Sequence, residues 1–473
     1  MMSDILQISQ TETGKQLAQQ HSLHVPKDIY ALAIDVKIEK PVWLTVMVYD
    51  AHNTLRAQLL KAGASGSVII HEASDKTSPY TISGPIHEGE WTLDISLSSR
   101  EEIKALDSWC DVVISFNQDA DEAGQADTDI WRADHHTFRL DRLEQDKPFQ
   151  HDKKWYKGDF HTHTIYSDGE MTREENMESA AKQGLDFFVA TDHNIVPTSW
   201  FAKTDTLVMP GVEVTSTLGH FNIINPTTSP FSANRLQDMY EEDGMNRIIA
   251  SDYGDAIISI NHPFLKGCPW IFEETLLENI DTIEICNDPT YPDNLPATED
   301  ALVAWNDLLN DGYRITGIGG SDSHLRPDDA YEGSTEPSLI GDPGTFVYCE
   351  QLTASNVMKG VRNGHVTVSR GAFVHFRIGE HMPGDQCSLW QGIASVQVDT
   401  DESLYVEWII DGEIVEKEWA NQSQHAFDFT AREGYHWIRA DIRYADGRLY
   451  GFANPIFFGE KQPEMKKWSE VLG

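Results

Sequence analysis

Cysteine is scarce in this chain and widely scattered. Its 473 residues include five cysteines, and no two of them are spaced as Cys-x-x-Cys. An odd and sparse set of this kind is typical of a reducing compartment, and it argues against a disulfide framework or a metal site built on thiolates. We therefore expect any metal or catalytic chemistry to depend on other side chains.

Long apolar runs are also absent. No stretch of the sequence approaches the ~18 apolar residues that a membrane-spanning helix needs. The first residues, MMSDILQISQTETGK, contain neither the basic segment nor the apolar segment of a secretory signal. These absences predict a cytoplasmic protein that makes no use of a membrane.

Basic residues are in short supply. The chain has 36 Lys and Arg against 76 Asp and Glu, which gives a formal net charge of −40. Such a charge repels polyanions, so nucleic acid is not expected as a partner. A small-molecule substrate is the partner that remains, and the oligomeric state is not predicted.

Several common catalytic signatures are missing as well. The sequence contains no GxxxxGK[ST] or GxGxxG loop, no GxSxG elbow and no HExxH motif. The usual support for a nucleotide-binding protein, a serine hydrolase or a zincin-type protease is therefore lacking.

The pattern of apolar residues changes twice along the chain. Residues 30–39 alternate apolar and polar side chains, which indicates the half-buried strands of an antiparallel β-sandwich. From Lys157 onward, short apolar runs alternate with helix-length amphipathic stretches, as in a β/α fold. One such helix is predicted over 172–183, because Thr172 is a good N-cap residue and Gly184 is a good terminator.

Strands return after residue 371. Asp-Gly pairs at 411–412 and 446–447 stand between alternating apolar runs and predict β-hairpins. In the second hairpin, Arg439 and Arg443 are expected to face water. The domains expected from these patterns are an N-terminal β-sandwich-like domain with a linker at 1–150, an α/β domain at 151–371 and a C-terminal β-sandwich-like domain at 372–473.

Histidines and carboxylates follow the predicted strands of the middle region. The segments concerned are GDFHTHTIYSDG at 158–169, ATDHN at 190–194, PGVE at 210–213 with His220 behind it, INHP at 260–263 and GGSDSH at 319–324. Strand ends of a β/α fold meet at one rim, where active sites form. Polar groups at the mouth of a buried strand are costly unless they are paired or bind a metal. The complete set therefore predicts a metal site.

In order and type, these segments resemble the motifs of the polymerase and histidinol phosphatase (PHP) superfamily of metallohydrolases. The β-rich flanks and the trailing Asn454-Pro455-Ile456 resemble the CehA/McbA branch of that superfamily, whose naming member is a carbaryl hydrolase. The resemblance covers about residues 157–371. It implies a distorted (β/α)7 barrel of the PHP type, flanked here by the two β-sandwich-like domains.

The resemblance also implies a set of metal ligands. Those of the first metal are His161, His163, Asp322 and the bridging Glu213. Those of the second are His220 and His262. Those of a third position, which not every member of the superfamily fills, are Asp168, His193 and His324. Some relatives carry histidine where this chain has Asp168, so the occupancy of the third position is left open.

Three further residues are nominated around this centre. Asp192 is expected to orient a ligand imidazole, because metal-bound histidines usually donate their second N–H to an acceptor. Arg326 and Arg370 are candidate clamps for a phosphate group. A surface ion pair is an equally good interpretation of either arginine.

Six imidazoles and three carboxylates suit zinc, manganese or iron. Two such ions ~3.5–4 Å apart hold a shared water whose pKa is depressed toward 7. We therefore predict two or three divalent ions and a metal-bridging hydroxide that cleaves a small phosphoester. A carboxylic or carbamate ester is the alternative substrate for the same centre. A third possibility, from another class, is a non-catalytic carbohydrate-binding or partner-binding protein on a PHP scaffold.

Overall fold

β-Strands are the commonest regular elements in the part of the chain that the structure describes. The computed structural model describes residues 3–9, 14–38, 42–63, 65–104, 108–117, 131–133, 138–141, 147–200, 206–432 and 434–471. Within these ranges the protein is a mixed α/β structure with several sheets and few helices. The expected combination of α/β and all-β parts is confirmed at this level.

The first strands form two antiparallel sheets around one core. They are β1 Ser3–Ser9, β2 Gly14–Val25, β3 Ala31–Ile38, β4 Trp43–Tyr49, β5 Leu55–Ala62, β6 Gly66–His71, β7 Gly89–Ile103 and β8 Ser108–Phe116. One sheet has the order β1-β8-β3-β6 and the other the order β2-β7-β4-β5. Side chains from both sheets, among them Leu32, Val46 and Trp91, are fully buried in the shared core. Burial of this apolar face is what holds the two sheets together.

The outer face of the β2-β7-β4-β5 sheet is also covered. The Tyr49 hydroxyl donates a hydrogen bond to the Phe231 carbonyl at 2.7 Å, and the Gln58 side-chain amide donates to the Val196 carbonyl at 2.9 Å. Met47 and Tyr49 belong to the core of the middle region rather than to that of the sandwich. This sheet therefore lies between two cores, and we call it the inner sheet.

The middle region contains four α-helices and most of the remaining short strands. The helices are α1 Arg173–Lys182, α2 Glu242–Ile249, α3 Asn294–Asp311 and α4 Ala354–Arg362. The strands are β9 Trp131–Ala133, β10 Leu140–Asp141, β11 Lys154–Asp159, β12 Phe187–Ala190, β13 Ser199–Trp200, β14 Leu207–Ser216, β15 Gly219–Ile224, β16 Ile257–Ile260, β17 Thr282–Asn287, β18 Thr316–Gly320, β19 Gly344–Cys349 and β20 Val366–Ser369. Thr172 caps α1 in a capping box, as its sequence predicts. Among the helices of the described ranges, none has the length and apolar character needed to cross a membrane.

The central strands depart from the predicted succession of parallel strands. They follow the order β18-β17-β16-β15-β14-β12-β11-β19-β20 within a fourteen-stranded sheet. Strands β14 and β15 pair antiparallel, as do β11 and β19. Only Thr217 and Leu218 separate β14 from β15, and a parallel connection would need a crossover of a dozen or more residues. A (β/α)7 barrel is therefore not shown.

The last strands continue the same sheet and add a small one. They are β21 Val374–Ile378, β22 Gln391–Val398, β23 Leu404–Ile410, β24 Glu413–Glu418, β25 Gln422–Asp428, β26 His436–Tyr444, β27 Leu449–Ala453 and β28 Ile456–Phe458. Both Asp-Gly pairs lie between paired strands, as expected. However, Arg439 and Arg443 are 1% and 8% exposed and do not face water. Helix α3 covers this face of β26, and its Glu299 accepts hydrogen bonds from Arg443 at 2.7 and 2.9 Å.

Strand β18 is linked to β20 by a side chain. Asn454, which is 1% exposed, accepts a hydrogen bond from the Gly317 N–H at 2.8 Å. Its amide nitrogen donates to the Gly317 carbonyl at 2.8 Å and to the Val366 carbonyl at 3.1 Å. Gly317 belongs to β18 and Val366 to β20, so this one amide takes the place of ladder hydrogen bonds between two strands of the central run.

We predict that Asn454→Ala destabilises the protein markedly. The substitution removes the partner of the buried Gly317 N–H and of the Gly317 and Val366 carbonyls. Together these losses should lower the free energy of unfolding by at least about 2 kcal/mol. Urea unfolding followed by circular dichroism measures the change. Gln424→Ala, at an exposed position of β25, is the matched control and should alter stability by less than about 0.5 kcal/mol. Equal stability of the two variants would contradict the proposed link.

Candidate metal centre

The ends of the central strands bring the candidate ligands to one place. Each of these side chains lies on such a strand or within a few residues after it. The positions are His161 and His163 after β11, His193 after β12, Glu213 on β14, His220 on β15, His262 after β16, and Asp322 and His324 after β18. Asp168 joins them from the loop that follows His163. All nine residues that the resemblance implied converge here, in overlapping clusters.

The first cluster consists of His161, His163, Glu213 and Asp322. Asp322 Oδ1 lies 3.2 Å from His161 Nε2 and 3.0 Å from His163 Nε2. Glu213 Oε1 lies 3.3 Å from His161 Nε2, and Glu213 Oε2 lies 3.5 Å from His163 Nε2. The two histidines and Glu213 are completely buried. Two imidazoles and two carboxylates at these distances form a complete set of ligands for one divalent ion.

Glu213 also belongs to a second cluster. Its Oε1 lies 3.1 Å from His220 Nδ1 and 3.4 Å from His262 Nε2. Cys268 Sγ lies 3.8 Å from His262 Nδ1, on the nitrogen that does not face Glu213. The thiol also lies close enough to His220 and His262 to share a metal ion with them, so Cys268 is a further candidate ligand that the sequence interpretation missed.

A third cluster surrounds Asp168. Its Oδ1 lies 3.3 Å from His193 Nε2 and 3.2 Å from His324 Nε2. The His163 ring stacks on both of these rings, with centroids 4.3 Å from His193 and 4.1 Å from His324. Asp168 therefore occupies the position that the resemblance assigned to it, between two imidazoles.

Many buried polar atoms in these clusters have no hydrogen-bond partner. They are His161 Nε2, both ring nitrogens of His163, Asp168 Oδ1, Glu213 Oε2 and Asp322 Oδ1. A buried polar atom without a partner costs about 1–3 kcal/mol, so such atoms are rare in folded proteins and rarely adjacent. Imidazole nitrogens and carboxylate oxygens are ligands of first-row divalent metals. The residues present therefore fit the metal ions that the sequence predicts.

Two of the candidate ligands have a strained backbone conformation. His262 has a φ of 26° and Asp322 a φ of 47°, and both are non-glycine residues in the left-handed region. Such conformations cost of order 1–3 kcal/mol and persist where the surrounding structure enforces them, often at functional sites. In these conformations His262 faces Glu213, and Asp322 faces His161 and His163.

The charges of the cluster favour binding of a cation. Burial would raise the pKa of Glu213, but the imidazoles of His161 and His193 hold that pKa well below its usual range. The pKa of Asp322 is likewise lowered against the effect of burial, by His161 and His324. Both carboxylates are therefore ionised at neutral pH.

The imidazoles differ among themselves. Burial lowers the pKa of His163 to about 4, and the neighbouring His324 and His193 add to the effect. For His324, burial is outweighed by Asp168 and Asp322, which raise the pKa to about 10. Without metal, His163 is therefore neutral at pH 7, whereas His324 carries a proton.

Glu284 is a functional candidate that the sequence interpretation missed. It is 2% exposed, and its Oε1 lies 3.1 Å from His161 Nδ1, so the Nε2 of that ring faces the first cluster. Its Oε2 accepts hydrogen bonds from the His262 N–H at 2.9 Å and from the Asn287 amide at 3.0 Å. The available signal was a glutamate inside the apolar run TIEICN, which forms β17.

Asp192 makes contacts other than the expected one. Its Oδ1 accepts hydrogen bonds from the Thr164 N–H and the Ser167 hydroxyl, both at 2.7 Å. Its Oδ2 accepts from the Thr164 hydroxyl at 2.8 Å and from the Tyr80 hydroxyl. The turn between His163 and Asp168 thus folds against this carboxylate and occupies both oxygens. Asp192 holds that loop in place and is not a partner of an imidazole.

The two nominated arginines have different surroundings. Arg370 donates to Asp342 at 3.0 and 2.8 Å and to Glu336 at 2.7 Å, and its side chain is only 6% exposed. It is therefore a buried ion-pair residue and does not offer its guanidinium to a phosphate. Arg326 lies 3.9 Å from Glu175 and donates to the Glu170 carbonyl at 3.5 Å, but it is 56% exposed and so remains accessible to a ligand.

The chain is similar to several solved structures. No family model matches the chain, and no curated protein matches it. Solved structures that resemble it include a two-domain protein from Bacteroides vulgatus containing a predicted PHP-like metal-dependent phosphoesterase, at 15% identity and a TM-score of 0.35 over 65% of this chain and 97% of that one.

Two further structures are similar over a shorter part of the chain. A protein from Bifidobacterium adolescentis named as a metal-dependent phosphoesterase has 13% identity and a TM-score of 0.24, over 39% of this chain and 93% of that one. An amidohydrolase from Chromobacterium violaceum, with bound sulfate and no metal, has 14% identity and a TM-score of 0.24, over 37% and 89%. TM-scores this low carry no weight for function, which has to be inferred from the site.

We predict that Glu284→Gln weakens metal binding about 10- to 100-fold, because the amide no longer fixes the His161 ring as the carboxylate does. Isothermal titration of Mn²⁺ or Zn²⁺ into metal-free protein measures the effect. Asp288→Asn is the matched control, because it makes the same change from carboxylate to amide at a buried residue whose side chain accepts hydrogen bonds from Thr290 and Ser338 and not from a candidate ligand. If both variants bind metal like the wild type, Glu284 has no orienting role.

Metal binding should also release protons. Since the pKa of His324 is raised to about 10, a metal that binds this imidazole at pH 7 must displace its proton, and affinity should rise with pH. Titrations in two buffers of different ionisation enthalpy give the number of protons released. We expect metal binding to release about one proton fewer from the His324→Asn variant than from the wild type. Identical heats in the two buffers would contradict this assignment.

Proposed function

We propose that this chain is a metal-dependent hydrolase of the PHP type, in its CehA/McbA branch, and that it cleaves a small phosphoester. The observation that carries the proposal is the convergence of six imidazoles and three carboxylates with buried, unpartnered atoms. A structural role would satisfy these atoms with hydrogen bonds, whereas a metal centre leaves them for the ions.

Two or three divalent ions would be held by these residues. We assign His161, His163, Asp322 and Glu213 to the first ion, and Glu213, His220 and His262 to the second. Asp168, His193 and His324 would hold a third. The ligand types suit zinc, manganese or iron. When bound, such ions supply positive charge for the reacting group and lower the pKa of a water enough for attack at neutral pH.

The chain's own residues then have distinct roles. One carboxylate oxygen of Glu213 lies beside His161 of the first cluster and His220 of the second. The other oxygen lies beside His163 of the first cluster and His193 of the third. Glu213 therefore contacts all three clusters. Glu284 fixes the His161 ring through its Nδ1. Arg326, exposed beyond His324, would bind a phosphate oxygen of the substrate. Because the ligands are buried, the reacting group would leave bulk water on entering the site, which strengthens these interactions.

A carboxylic or carbamate ester is the second candidate, and one observation favours it. Arg370 is buried and already neutralised by Asp342 and Glu336, so of the two nominated phosphate clamps only Arg326 is accessible to a substrate. A phosphate monoester carries more negative charge than a carboxylic or carbamate ester and gains more from a second cation. The metal chemistry would be the same for both classes.

We expect protein purified without added metal to contain two or three divalent ions per chain by elemental analysis. Phosphomonoesters, phosphodiesters and aryl carbamates, assayed with manganese and then with chelator, identify the substrate class. His163→Ala should lower kcat/KM at least about 100-fold for any substrate that is turned over. It removes a ligand without touching either flanking sandwich.

His375→Ala, at an exposed position of β21, is the control and should leave turnover unchanged. Turnover that persists undiminished after thorough removal of metal would contradict the proposal for both ester classes. A chain with no bound metal and no turnover would instead support the binding-protein alternative.

A further inference from the structure

The inner sheet reaches the metal centre directly. Trp43, the first residue of β4, has its indole ring 4.9 Å from the His193 imidazole, between centroids, with the planes inclined at 53°. His193 in turn faces Asp168 in the third cluster. Trp43 is half-buried, so part of this residue remains accessible beside the His193 imidazole.

A second contact ties a loop of the centre to the same edge of the sheet. Ala62 pairs with Trp43 across β4 and β5, and the adjacent Lys61 donates from Nζ to the Ile165 carbonyl at 3.2 Å. Ile165 lies in the loop between His163 and Asp168, and its side chain is 43% exposed. Lys61 therefore connects the loop that carries Ile165 to the edge of the inner sheet that carries Trp43.

The inner sheet is anchored to the centre at two more places. From the strand connection after β6, the Tyr80 hydroxyl donates to Asp192, which holds the loop carrying Asp168. The Thr217 hydroxyl donates to the Gln16 side chain of β2 at 2.6 Å, in the turn between β14 and β15. Because the sheet is fixed on both sides of the centre, the position of Trp43 is determined by rigid elements.

Trp43 and Ile165 differ in chemistry from the candidate metal ligands. The indole and the isoleucine side chain are uncharged and apolar, whereas the nine candidate ligands that the resemblance implied are imidazoles and carboxylates. Aromatic contacts add affinity beyond that of the apolar area they bury. A site of this kind suits a substrate with a polar reacting group and an apolar, planar organic group.

We propose that Trp43 contacts the substrate and selects for an apolar, planar group on the ester that is cleaved. This inference rests on the proposed hydrolytic function and adds the inner sheet to the active site. Trp43 has no metal-ligating atom, so it determines the affinity for the organic group and not the metal content.

The test compares two ligands that the enzyme cannot hydrolyse, phenylphosphonate and methylphosphonate, by isothermal titration into metal-loaded protein. We expect the wild type to prefer phenylphosphonate. Trp43→Ala should weaken phenylphosphonate binding about tenfold, the size of one aromatic contact, and change methylphosphonate binding less than about twofold. Trp43→Phe should keep most of the preference, and metal content should be equal in all three proteins.

Trp419→Ala, at a position 65% exposed on the C-terminal side, is the matched control and should behave like the wild type. The proposal is overturned if the wild type binds neither ligand or shows no preference, or if Trp43→Ala and Trp43→Phe, both folded by circular dichroism, retain the full preference. A wild type that prefers phenylphosphonate but hydrolyses no ester would instead overturn the proposed function and leave the role of Trp43 standing.

Discussion

A single buried carboxylate, that of Glu213, is the constraint on which the centre depends. Its two oxygens lie between 2.7 and 3.5 Å from ring nitrogens of five histidines. Asn261 adds a hydrogen bond to Oε1 at 2.9 Å. A fully buried charge is tolerated only when it is paired and hydrogen-bonded, so the strand ends that supply these partners must meet around it.

The backbone around Glu213 is arranged to keep those partners in place. His193 forms a parallel bridge with Glu213, and the Asn194 N–H donates to the Glu213 carbonyl at 2.7 Å. On the other side, Thr162 bridges Ser323, and the His163 N–H donates to the Ser323 carbonyl at 3.2 Å. Pairing therefore continues past the ends of the regular strands into the segments that carry the ligands. Ligand positions held by backbone pairing are more precise than positions on free loops.

Local patterns predicted the features that depend on neighbours in sequence. The His161-Thr162-His163 segment, the Thr172 cap and the Asp-Gly turns all depend on spacings of a few residues. Features set by distant partners were not predictable in this way. Arg443 was expected to face water, yet its partner Glu299 is 144 residues away on α3. Glu284 was missed because a glutamate in an apolar run indicates that a buried partner is needed, but the sequence does not identify that partner. In the structure the partner is His161.

The N-terminal sandwich illustrates the same limit on a larger scale. Its alternating sequence predicts two faces for each strand, but it does not predict what covers the second face. In β4, Leu44, Val46 and Val48 point into the sandwich core, while Met47 and Tyr49 belong to the core of the middle region. A slip of one residue would exchange the two faces, removing Trp43 from the His193 ring and burying it in the sandwich. The packing of the sandwich core therefore sets the register that places Trp43 beside the candidate metal centre.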